Sequence, residues 1–524
     1  MTTVREAFLG VCRDAGLTRW FGNPGSTELR MLAGWPDDFD YVLALQESSA
    51  VAMAAGHAIA TGGAALVSLH SAGGVGHGLG AVFNAYRDRV PLVVLAGQQT
   101  RAMLPTRPFL GADQPAVFPR PYVKWSHQPE RAADVPGALA EAIRVASTPP
   151  RGPVFLSVPE DDWDRPATPV VPRTAHTAFG PSPEALAEVA AALDAARTPV
   201  LVTGPGVDED DAWAETTALA ERLRAAVWAA PMPSRAGFPE DHPLFRGHLP
   251  PVRSGIAARL RGHDVALVIG APVFTYHVHT EGPFLPDGTR LFHLDCDPAA
   301  AAWAAAGTSV LSTVRAGVDG LLRLVGDVDR VAPAPRVRPV TPPLADPLDA
   351  AAVLAAIGAA LPAGAVLVEE APSHKDLLHE LIPITRPRGY VTTGSGALGW
   401  GLPVAVGRAL TGERVVCVVG DGSSLYSIQA LWTAARRDAP LTVIVLNNRG
   451  YEAVAALGRR IDIADVPGTA LPGLDFVSLA RGFGCAGRRV EKAAELPAAL
   501  TWAMSRPGPA LLETAVPAAG GSLY

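Results

Sequence analysis

Two stretches near the end of the chain, VVCVVGDGSS (415–424) and VIVLNNRGYEA (443–453), decide the fold class. Each opens with a β-branched or leucine-rich apolar run, of the length of a fully buried strand in a parallel sheet. The segment between them, 424–440, is predicted to form the crossover helix. In such sheets ligand-binding residues collect at the carboxyl ends of the strands, so Asp421 and Asn448 are expected to face one crevice.

The composition indicates a large chain with much buried surface. At 524 residues it is too long for one ordinary core and predicts about three domains. Hydrophobic residues make up 48% and charged residues 18%, where about 25% charged is typical. We therefore expect large apolar interfaces between domains or subunits. The net charge of −7 comes without a basic block, which argues against nucleic acid and against a membrane surface as partners.

The predicted location is cytoplasmic. No apolar run approaches the roughly 18 residues of a membrane span, and MTTVREAFLGVCRDAG (1–16) predicts an amphipathic helix rather than a signal peptide. The four cysteines are far apart and have no C-x-x-C spacing. Buried thiols are therefore expected, rather than disulfides or a cysteine zinc site.

Two proline-rich stretches, near 162–183 and 329–347, are interpreted as semi-rigid linkers. They divide the chain into thirds in which strand and helix signals alternate, and this alternation is typical of parallel α/β sheets. The predicted fold class is α/β, with three doubly wound parallel-sheet domains at 1–165, 182–328 and 345–524.

The first and last thirds resemble each other. AYRDRVPLVVLAGQQ (85–99) and AARRDAPLTVIVLNN (434–448) share a helix end, an Arg/Asp pair, a Pro-Leu entry and a buried strand that ends in paired amides. A short match of this kind also arises by chance in α/β folds, but the similar distance between the paired strands favours an internal duplication.

The middle third contains a glycine pair, Gly204 and Gly206, that could begin a dinucleotide-binding fingerprint. Asp208 stands where a third glycine would be needed, and no helix is expected to open there. We therefore interpret this segment as an ordinary strand-to-loop turn.

The two strand ends of the last third offer ligands for a metal and a diphosphate. A hard cation such as Mg²⁺ (or Ca²⁺) takes oxygen ligands and shares them with phosphates. Its predicted ligands are the carboxylate of Asp421, the amide oxygen of Asn448 and the carbonyl of Gly450. Glycines allow close backbone approach to phosphate oxygens, and a hydroxyl supplies a donor; the predicted diphosphate-binding residues are Gly420, Gly422 and Ser423.

The G-D-G and N-N motifs, 27 positions apart, resemble the thiamin diphosphate fingerprint, and the resemblance extends along nearly the whole chain. The chain is identified as similar to the thiamin diphosphate-dependent 2-oxo acid decarboxylases, in particular to the benzoylformate decarboxylases. The stretches that carry this resemblance include FGNPGSTEL (21–29), LALQESSAVAMAAGHA (43–58), LHSAGGVGHGLGA (69–81), GPVFLSVPEDDWD (152–164), VIGAPVFTYH (268–277) and IQALWTAA (428–435).

This resemblance implies a pyrimidine-binding first domain, a central domain without a required flavin, and a diphosphate-binding third domain. Thiamin diphosphate and Mg²⁺ are the implied cofactors. The active site would lie between two subunits, so a homo-oligomer is implied, most typically a tetramer built as a dimer of dimers.

The resemblance assigns four catalytic residues. Glu47 would contact the aminopyrimidine of the cofactor and promote deprotonation of its thiazolium. Ser26 would bind the substrate carboxylate, while His70 and His277 would transfer protons. From the residues alone, Glu47 could equally cap a helix, His70 could be structural, and Ser26 could be a helix N-cap. His279 is interpreted as a solvated or local side chain.

Further cofactor contacts are predicted in TTGSGALGWGLP (392–403) and after Asn448. A bulky leucine between glycines can separate the two rings of a flat cofactor, and this role falls to Leu398. Gly394 and Ser395 are the predicted cofactor-binding residues beside it. Tyr451 is predicted to bind the cofactor from the loop after the second strand.

The implied activity is the non-oxidative decarboxylation of an aryl 2-oxo acid resembling benzoylformate to an aldehyde and CO₂, with carboligation as a possible side activity. Thr392, Thr393 and Leu457 stand where bulkier or more aromatic pocket residues are expected, so a para-substituted, enlarged or branched 2-oxo acid is the alternative substrate. An acetolactate synthase or a flavin-dependent oxidase would share the fold and cofactor, but the pair His70 and His277 suits proton transfer in a simple decarboxylase. A non-catalytic binding protein would be expected to lack at least one of Glu47, Asp421 and Asn448.

Overall fold

The computed structural model describes residues 2–518 and contains three parallel sheets, each of six strands. The first sheet and its helices lie before residue 160. Its strands are β1 (Arg19–Gly22), β2 (Asp40–Leu43), β3 (Ala65–Leu69), β4 (Leu92–Gln98), β5 (Ser126–His127) and β6 (Val154–Pro159). Its helices are α1 (Val4–Asp14), α2 (Leu29–Leu32), α3 (Glu47–Thr61), α4 (Ser71–Arg87) and α5 (Val135–Ser147). The strand order is β2-β1-β3-β4-β6-β5.

The second sheet belongs to the central third of the chain. Its strands are β7 (Val200–Thr203), β8 (Ala226–Ala229), β9 (Phe245–His248), β10 (Val265–Ile269), β11 (Arg290–Asp295) and β12 (Thr308–Leu311). Its helices are α6 (Pro183–Ala195), α7 (Pro205–Glu209), α8 (Trp213–Leu223), α9 (Arg253–Arg259), α10 (Pro298–Trp303) and α11 (Val314–Leu324). The strand order is β12-β11-β10-β7-β8-β9. From β7 to β9 the chain adds parallel strands toward one edge of the sheet, and from β10 to β12 it adds them toward the other edge.

The third sheet has the same strand order as the first. Its strands are β13 (Val366–Glu370), β14 (Tyr390–Val391), β15 (Val415–Gly420), β16 (Leu441–Asn447), β17 (Ala486–Val490) and β18 (Ala510–Ala515). Its helices are α12 (Ala350–Ala360), α13 (Lys375–Leu381), α14 (Gly401–Ala409), α15 (Asp421–Ser424), α16 (Ala430–Arg436), α17 (Glu452–Arg460), α18 (Phe476–Gly482) and α19 (Leu496–Met504). The order β14-β13-β15-β16-β18-β17 repeats that of the first sheet position by position, which supports the internal duplication.

The first and third sheets are joined through helices α3 and α14. Backbones approach so closely here that a Cβ on Gly56 would lie 2.2 Å from the Val404 carbonyl oxygen, and one on Gly407 would lie 1.9 Å from the Met53 carbonyl oxygen. Each helix therefore contributes one glycine to the crossing. A continuous apolar cluster spans the two sheets, and a second cluster spans the central and third sheets, so each domain shares its core with the third.

The two deciding strands and the crossover helix are confirmed in kind, with two differences at their ends and one further helix that was not predicted. Both deciding strands run one residue further than the apolar runs 415–419 and 441–446. The crossover helix starts only at Ala430, because residues 425–429 form turns. The expectation that no helix opens after Gly204 is wrong: Gly204 is the N-cap of α7.

The glycine pair of the central domain has a packing role in this structure. A Cβ on Gly204 would lie 2.3 Å from the Cβ of Ala271, and one on Gly206 would lie 2.7 Å from the Cα of Gly270. These two glycines let the loops after β7 and β10 touch, which accounts for them without a bound dinucleotide.

The chain between the domains has little regular structure. No helix or strand lies at 163–182 or at 325–349, except for an isolated bridge between Thr3 and Pro166. All four cysteines are free thiols. Within residues 2–518, no helix has the length and apolar character needed to cross a membrane.

Candidate active site

His70 lies at the end of β3 in a hydrogen-bonded group with Glu28 and Thr27. Its Nδ1 is 3.0 Å from Glu28 Oε2 and 3.1 Å from Thr27 Oγ1, and the Thr27 hydroxyl donates to Glu28 Oε1 at 2.6 Å. Glu28 is only 2% exposed, whereas the His70 side chain is 23% exposed. With Nδ1–H donated to the carboxylate, Nε2 is left to exchange protons with a ligand.

Glycine 25 and Ser26 complete this first-domain cluster. A Cβ on Gly25 would lie 2.1 Å from the His70 ring, so only glycine fits beneath the imidazole. Gly25, not Ser26, occupies the N-cap position of the short 3₁₀ helix Ser26–Glu28. Ser26 is exposed, which leaves its hydroxyl accessible to a ligand. The sequence analysis assigned no role to Glu28, although it follows Ser26 by only two positions.

Glu47 is the first residue of α3 and is not its cap. The side chain of Gln46 caps the helix by accepting from the Ser49 N–H at 3.1 Å. The Glu47 side chain is 13% exposed, and its Oε2 lies 3.2 Å from Nδ1 of the exposed His77. The helix-cap alternative is therefore wrong, and the carboxyl group is left for another purpose.

The predicted metal ligands of the third domain converge on one backbone amide. The Gly450 N–H donates to Asp421 Oδ2 at 2.9 Å and to Asn448 Oδ1 at 3.2 Å, so these oxygens lie side by side. The Gly422 N–H holds the other carboxylate oxygen at 2.8 Å. Burial raises the pKa of Asp421, a cost that a bound divalent cation would offset. In this structure the Gly450 N–H contacts both side chains. The Gly450 carbonyl was the predicted metal ligand, and that role stays a prediction.

The turn beside these oxygens is closely packed, and its glycine has no room for a side chain. A Cβ on Gly422 would lie 2.4 Å from Cε1 of Tyr451, which places the tyrosine ring directly against the G-D-G turn. Gly420 ends β15, and Ser423 follows on α15. A carboxylate and an amide oxygen beside a glycine turn suit an oxygen-loving cation with a phosphate ligand, so the residues present fit both groups.

A cavity of about 950 Å³ opens between the central and third domains, with α4 of the first domain at its edge. Its walls include the predicted cofactor residues Gly394, Ser395 and Leu398, the predicted pocket residues Thr392, Thr393 and Leu457, and His277. The predicted catalytic residues Ser26, Glu47 and His70 are not among its wall residues, and neither are the predicted metal ligands Asp421, Asn448 and Gly450. Within residues 2–518, this cavity therefore brings together only part of the predicted site.

Helix α4 holds the predicted cofactor loop through two residues that sequence reasoning missed. Asn84 Oδ1 accepts from the hydroxyls of Thr393 and Ser395, and the Asn84 amide donates to the Ala397 carbonyl at 3.0 Å. Asp88 Oδ1 accepts from the Gly394 N–H at 3.0 Å. Contacts over some 300 positions of sequence leave no local pattern by which these two residues could be recognised.

Leu398 is held in place by Glu370, another residue without a local signal. The two carboxylate oxygens of Glu370 accept from the backbone N–H groups of Gly399 and Gly401. Gly399 adopts a φ of +92°, which few other residues tolerate. The leucine therefore sits on a loop that is anchored from the end of β13.

The two histidines of the central-domain loop differ as expected. His277 is exposed to the cavity, and its backbone N–H donates to the Pro251 carbonyl at 2.8 Å. His279 pairs with Glu281 at 3.1 Å, with both side chains at least 80% exposed. Only His277 lies on the cavity wall.

Asp88 predicts a pH dependence of stability. Burial raises its pKa to about 7, and its Oδ2 has no hydrogen-bond partner. The folded state therefore keeps the proton that the unfolded state loses near pH 4. The contribution of Asp88 to the free energy of unfolding should be fully present below that pH. It should be lost as the pH rises to about 7, by at most about 4 kcal/mol for a pKa difference of about three units.

Asp88→Asn removes this ionisation and keeps the oxygen that accepts from Gly394. We expect the melting temperature of the variant to exceed that of the parent by more at pH 8 than at pH 5. Asp14→Asn, on the surface at the end of α1, is the matched control and should leave the profile unchanged. If the melting temperatures of Asp88→Asn and the parent changed in parallel with pH, Asp88 would be ionised in the folded protein and the prediction would be wrong.

Comparison with known proteins gives the same division into three parts. The family models that match describe a thiamine pyrophosphate enzyme: its N-terminal TPP binding domain at residues 2–117, its central domain at 186–321 and its C-terminal TPP binding domain at 371–514. Thiamine pyrophosphate and thiamin diphosphate are two names for one cofactor.

Similar proteins cover nearly the whole chain. The benzoylformate decarboxylase of Pseudomonas aeruginosa is 42% identical over 98% of each chain. The crystal structure of benzoylformate decarboxylase from Polynucleobacter necessarius is 38% identical with a TM-score of 0.97, covering 99% of each chain. The 4-hydroxybenzoylformate decarboxylase of Rhodococcus jostii is 40% identical with a TM-score of 0.96, covering 98% of this chain and 99% of that one. Acetolactate synthase large subunits of Escherichia coli are more distant, at 27–28% identity.

Proposed function

This chain belongs to the benzoylformate decarboxylase family of thiamine pyrophosphate enzymes, and we propose that it converts an aryl 2-oxo acid into an aldehyde and CO₂. The observation that carries this proposal is the full-length similarity to the Pseudomonas aeruginosa enzyme, at 42% identity over 98% of both chains. The cavity beside His277 and Leu398 offers a binding space in the part of the chain where the proposed site residues lie.

We propose that the cofactors are held by the third domain. Asp421, Asn448 and the Gly450 carbonyl would bind Mg²⁺ or Ca²⁺, with Gly420, Gly422, Ser423 and Tyr451 around the diphosphate and Gly394, Ser395 and Leu398 around the rings. Bound thiamin diphosphate supplies a nucleophilic carbon and an electron sink for decarboxylation. The side-by-side oxygens of Asp421 and Asn448 support this arrangement.

The proposed roles of the protein side chains are to bind the substrate and to move protons. The exposed Ser26 hydroxyl would donate to the substrate carboxylate. His70, whose Nδ1 lies 3.0 Å from Glu28, would in its doubly protonated form give the Nε2 proton to the developing alkoxide and keep the Nδ1 proton. His277 would serve later protonation or product release from the cavity side, and Glu47 would hold the aminopyrimidine.

We propose that two copies of the chain form this site, in a homodimer that assembles further into a tetramer. Ser26, Glu47 and His70 do not line the cavity of their own chain, which supports this proposal. Large apolar side chains are exposed near both predicted groups of residues. Leu29 (61%) directly follows Glu28, Tyr426 (55%) is three residues after Ser423, and Val454 (48%) is three residues after Tyr451. Covering these side chains with a second copy would join Glu47 and His70 of one chain to Asp421 of the other.

The domain limits 1–165, 182–328 and 345–524 stay part of this proposal, supported by the three sheets and the irregular segments between them. The cytoplasm stays the proposed location, because four free thiols suit a reducing compartment.

The cavity wall bears on which aryl acid is used. The Thr392 hydroxyl donates to Glu369 at 2.9 Å and the Thr393 hydroxyl donates to Asn84 at 3.2 Å, so neither donor is spare for a substrate. The two threonine hydroxyls therefore add little polarity to the cavity wall, because each already donates to a protein side chain. Leu457 supplies an apolar wall, and we propose benzoylformate or a para-substituted relative as the substrate.

Steady-state kinetics of CO₂ release test the proposed function. One methylene in an apolar pocket is worth about 1–3 kcal/mol, so kcat/KM for benzoylformate or 4-hydroxybenzoylformate should exceed that for pyruvate by at least about tenfold. His70→Ala should lose about 10²–10⁴-fold, while His279→Ala, a surface control, should retain activity. Pyruvate turned over faster than every aryl acid would overturn the proposal, and acetolactate as its product would indicate the synthase branch.

A further inference from the structure

A second polar cluster lies where the central domain meets the third. It consists of Glu240 in the loop after β8, His248 at the end of β9 and His379 on α13. Oε1 of Glu240 is 3.1 Å from Nε2 of His248 and 2.9 Å from Nδ1 of His379. The two imidazole centroids are 4.2 Å apart. Three side chains from two domains thus place one possible ligand atom each within 4.8 Å of one another.

The carboxylate of this cluster is held by the backbone. Glu240 is 3% exposed, and its Oε2 accepts from the Ile384 N–H at 2.9 Å. The Glu240 N–H in turn donates to the Ile384 carbonyl at 2.8 Å. These bonds fix the carboxylate and turn Oε1 toward both histidines, as an outer shell does for a metal ligand.

His379 has no hydrogen bond for either ring nitrogen, although it is only 5% exposed. Its Nδ1 lies 2.9 Å from Oε1 of Glu240 but does not point at that oxygen, so the short distance is not a hydrogen bond. An unpaired buried polar group is costly. A native structure retains such a group when something else satisfies it.

A metal ion accounts for the spacing of the three ligand atoms and for the direction of the His379 ring, while His248 Nε2 is hydrogen-bonded to Glu240 Oε1 at 3.1 Å. In a tetrahedral zinc site, bonds of about 2.0 Å place the ligand atoms about 3.3 Å apart, and each lone pair points at the metal rather than at its neighbour.

We propose that Glu240, His248 and His379 bind one transition-metal ion of the zinc type, which links the central and third domains. Two histidines with one glutamate are a known zinc ligand set that leaves a fourth position for water. The ion would enter from the cavity, whose wall includes His248 and His379. Nitrogen ligands distinguish this site from the all-oxygen site at Asp421 and Asn448, which suits a harder cation.

Metal titration of the whole enzyme tests the proposal. The protein is stripped with a chelator, and its oxygen site is saturated with Mg²⁺ and thiamin diphosphate. Co²⁺ is then added while visible absorption is followed, and Zn²⁺ is added in competition with a coloured chelator. We expect one equivalent of each metal per chain, a tetrahedral Co²⁺ spectrum and a higher melting temperature with metal. Wild-type protein that gives no saturable Co²⁺ spectrum would overturn the proposal.

Variants identify the ligands. His379→Phe and Glu240→Gln should each weaken Zn²⁺ binding by at least about 100-fold and remove the metal-dependent rise in melting temperature. His242→Asn is the matched control, because His242 pairs with the exposed Glu221 at 3.2 Å outside the cluster, and it should bind as the parent does. Binding unchanged in His379→Phe would overturn the assignment. If a variant fails to fold, the wild-type titration still decides whether the metal binds.

Discussion

Asp421→Ala is expected to abolish activity and to weaken cofactor binding. Asp421 is 2% exposed, and its carboxylate and Asn448 Oδ1 both accept from the Gly450 N–H. Without it, the proposed cation loses its charged ligand. A bound metal supplies several kcal/mol, so we expect activity to fall by about 10³-fold or more.

Calorimetry with thiamin diphosphate in the presence of Mg²⁺ separates binding from catalysis. Affinity for the cofactor should fall by at least about 100-fold in Asp421→Ala. Asp465→Ala, on the exposed loop after α17, is the matched control and should bind as the parent does. An unchanged affinity in Asp421→Ala would mean that this carboxylate does not anchor the metal.

Glu47→Gln should have the second largest effect, and it should act on a different step. Glutamine keeps the shape of the side chain at the start of α3 but cannot exchange a proton as a carboxyl group does. A positioned acid or base is worth about 10²–10⁴-fold. We therefore expect kcat to fall within that range while the affinity for thiamin diphosphate changes little.

Deuterium exchange at C2 of the bound cofactor, followed by NMR after an acid quench, reports the step directly. The exchange rate should fall with kcat in Glu47→Gln. Glu141→Gln on α5 is the control, since this glutamate is exposed and lies outside the site. Exchange at the parent rate in Glu47→Gln would show that the carboxyl group has another role.

Much of the fold could be predicted from local patterns. Buried strands of a parallel sheet are continuous apolar runs, so β15 and β16 were recognisable, and each ends within one residue of its run. A polar residue just after an apolar run can also be recognised in the sequence, which is why Asp421 and Asn448 could be assigned together. The repeated strand order of the first and third sheets agrees with the similarity between 85–99 and 434–448. The crossover helix was predicted too long, because its first turns pack as a loop.

The residues that position the site depend on packing between distant segments. Glu28 meets His70 across 42 positions, Asp88 meets Gly394 across 306, and Glu240 meets Ile384 across 144. Polar side chains of this kind look like ordinary helix or loop residues in the sequence. Their partners are specified only after apolar burial has brought the sheets together.

The sequence by itself thus determined the three parallel sheets and the polar groups at their strand ends, since periodicity and strand-end position are properties of adjacent residues. Only the tertiary structure decided that Glu28 orients His70, that Asn84 and Asp88 hold the predicted cofactor loop, and that His379 lies beside Glu240. The physical reason is that a hydrogen bond or metal ligand set requires distances near 3 Å and a defined direction. Such geometry arises from domain packing, which no spacing along the chain encodes.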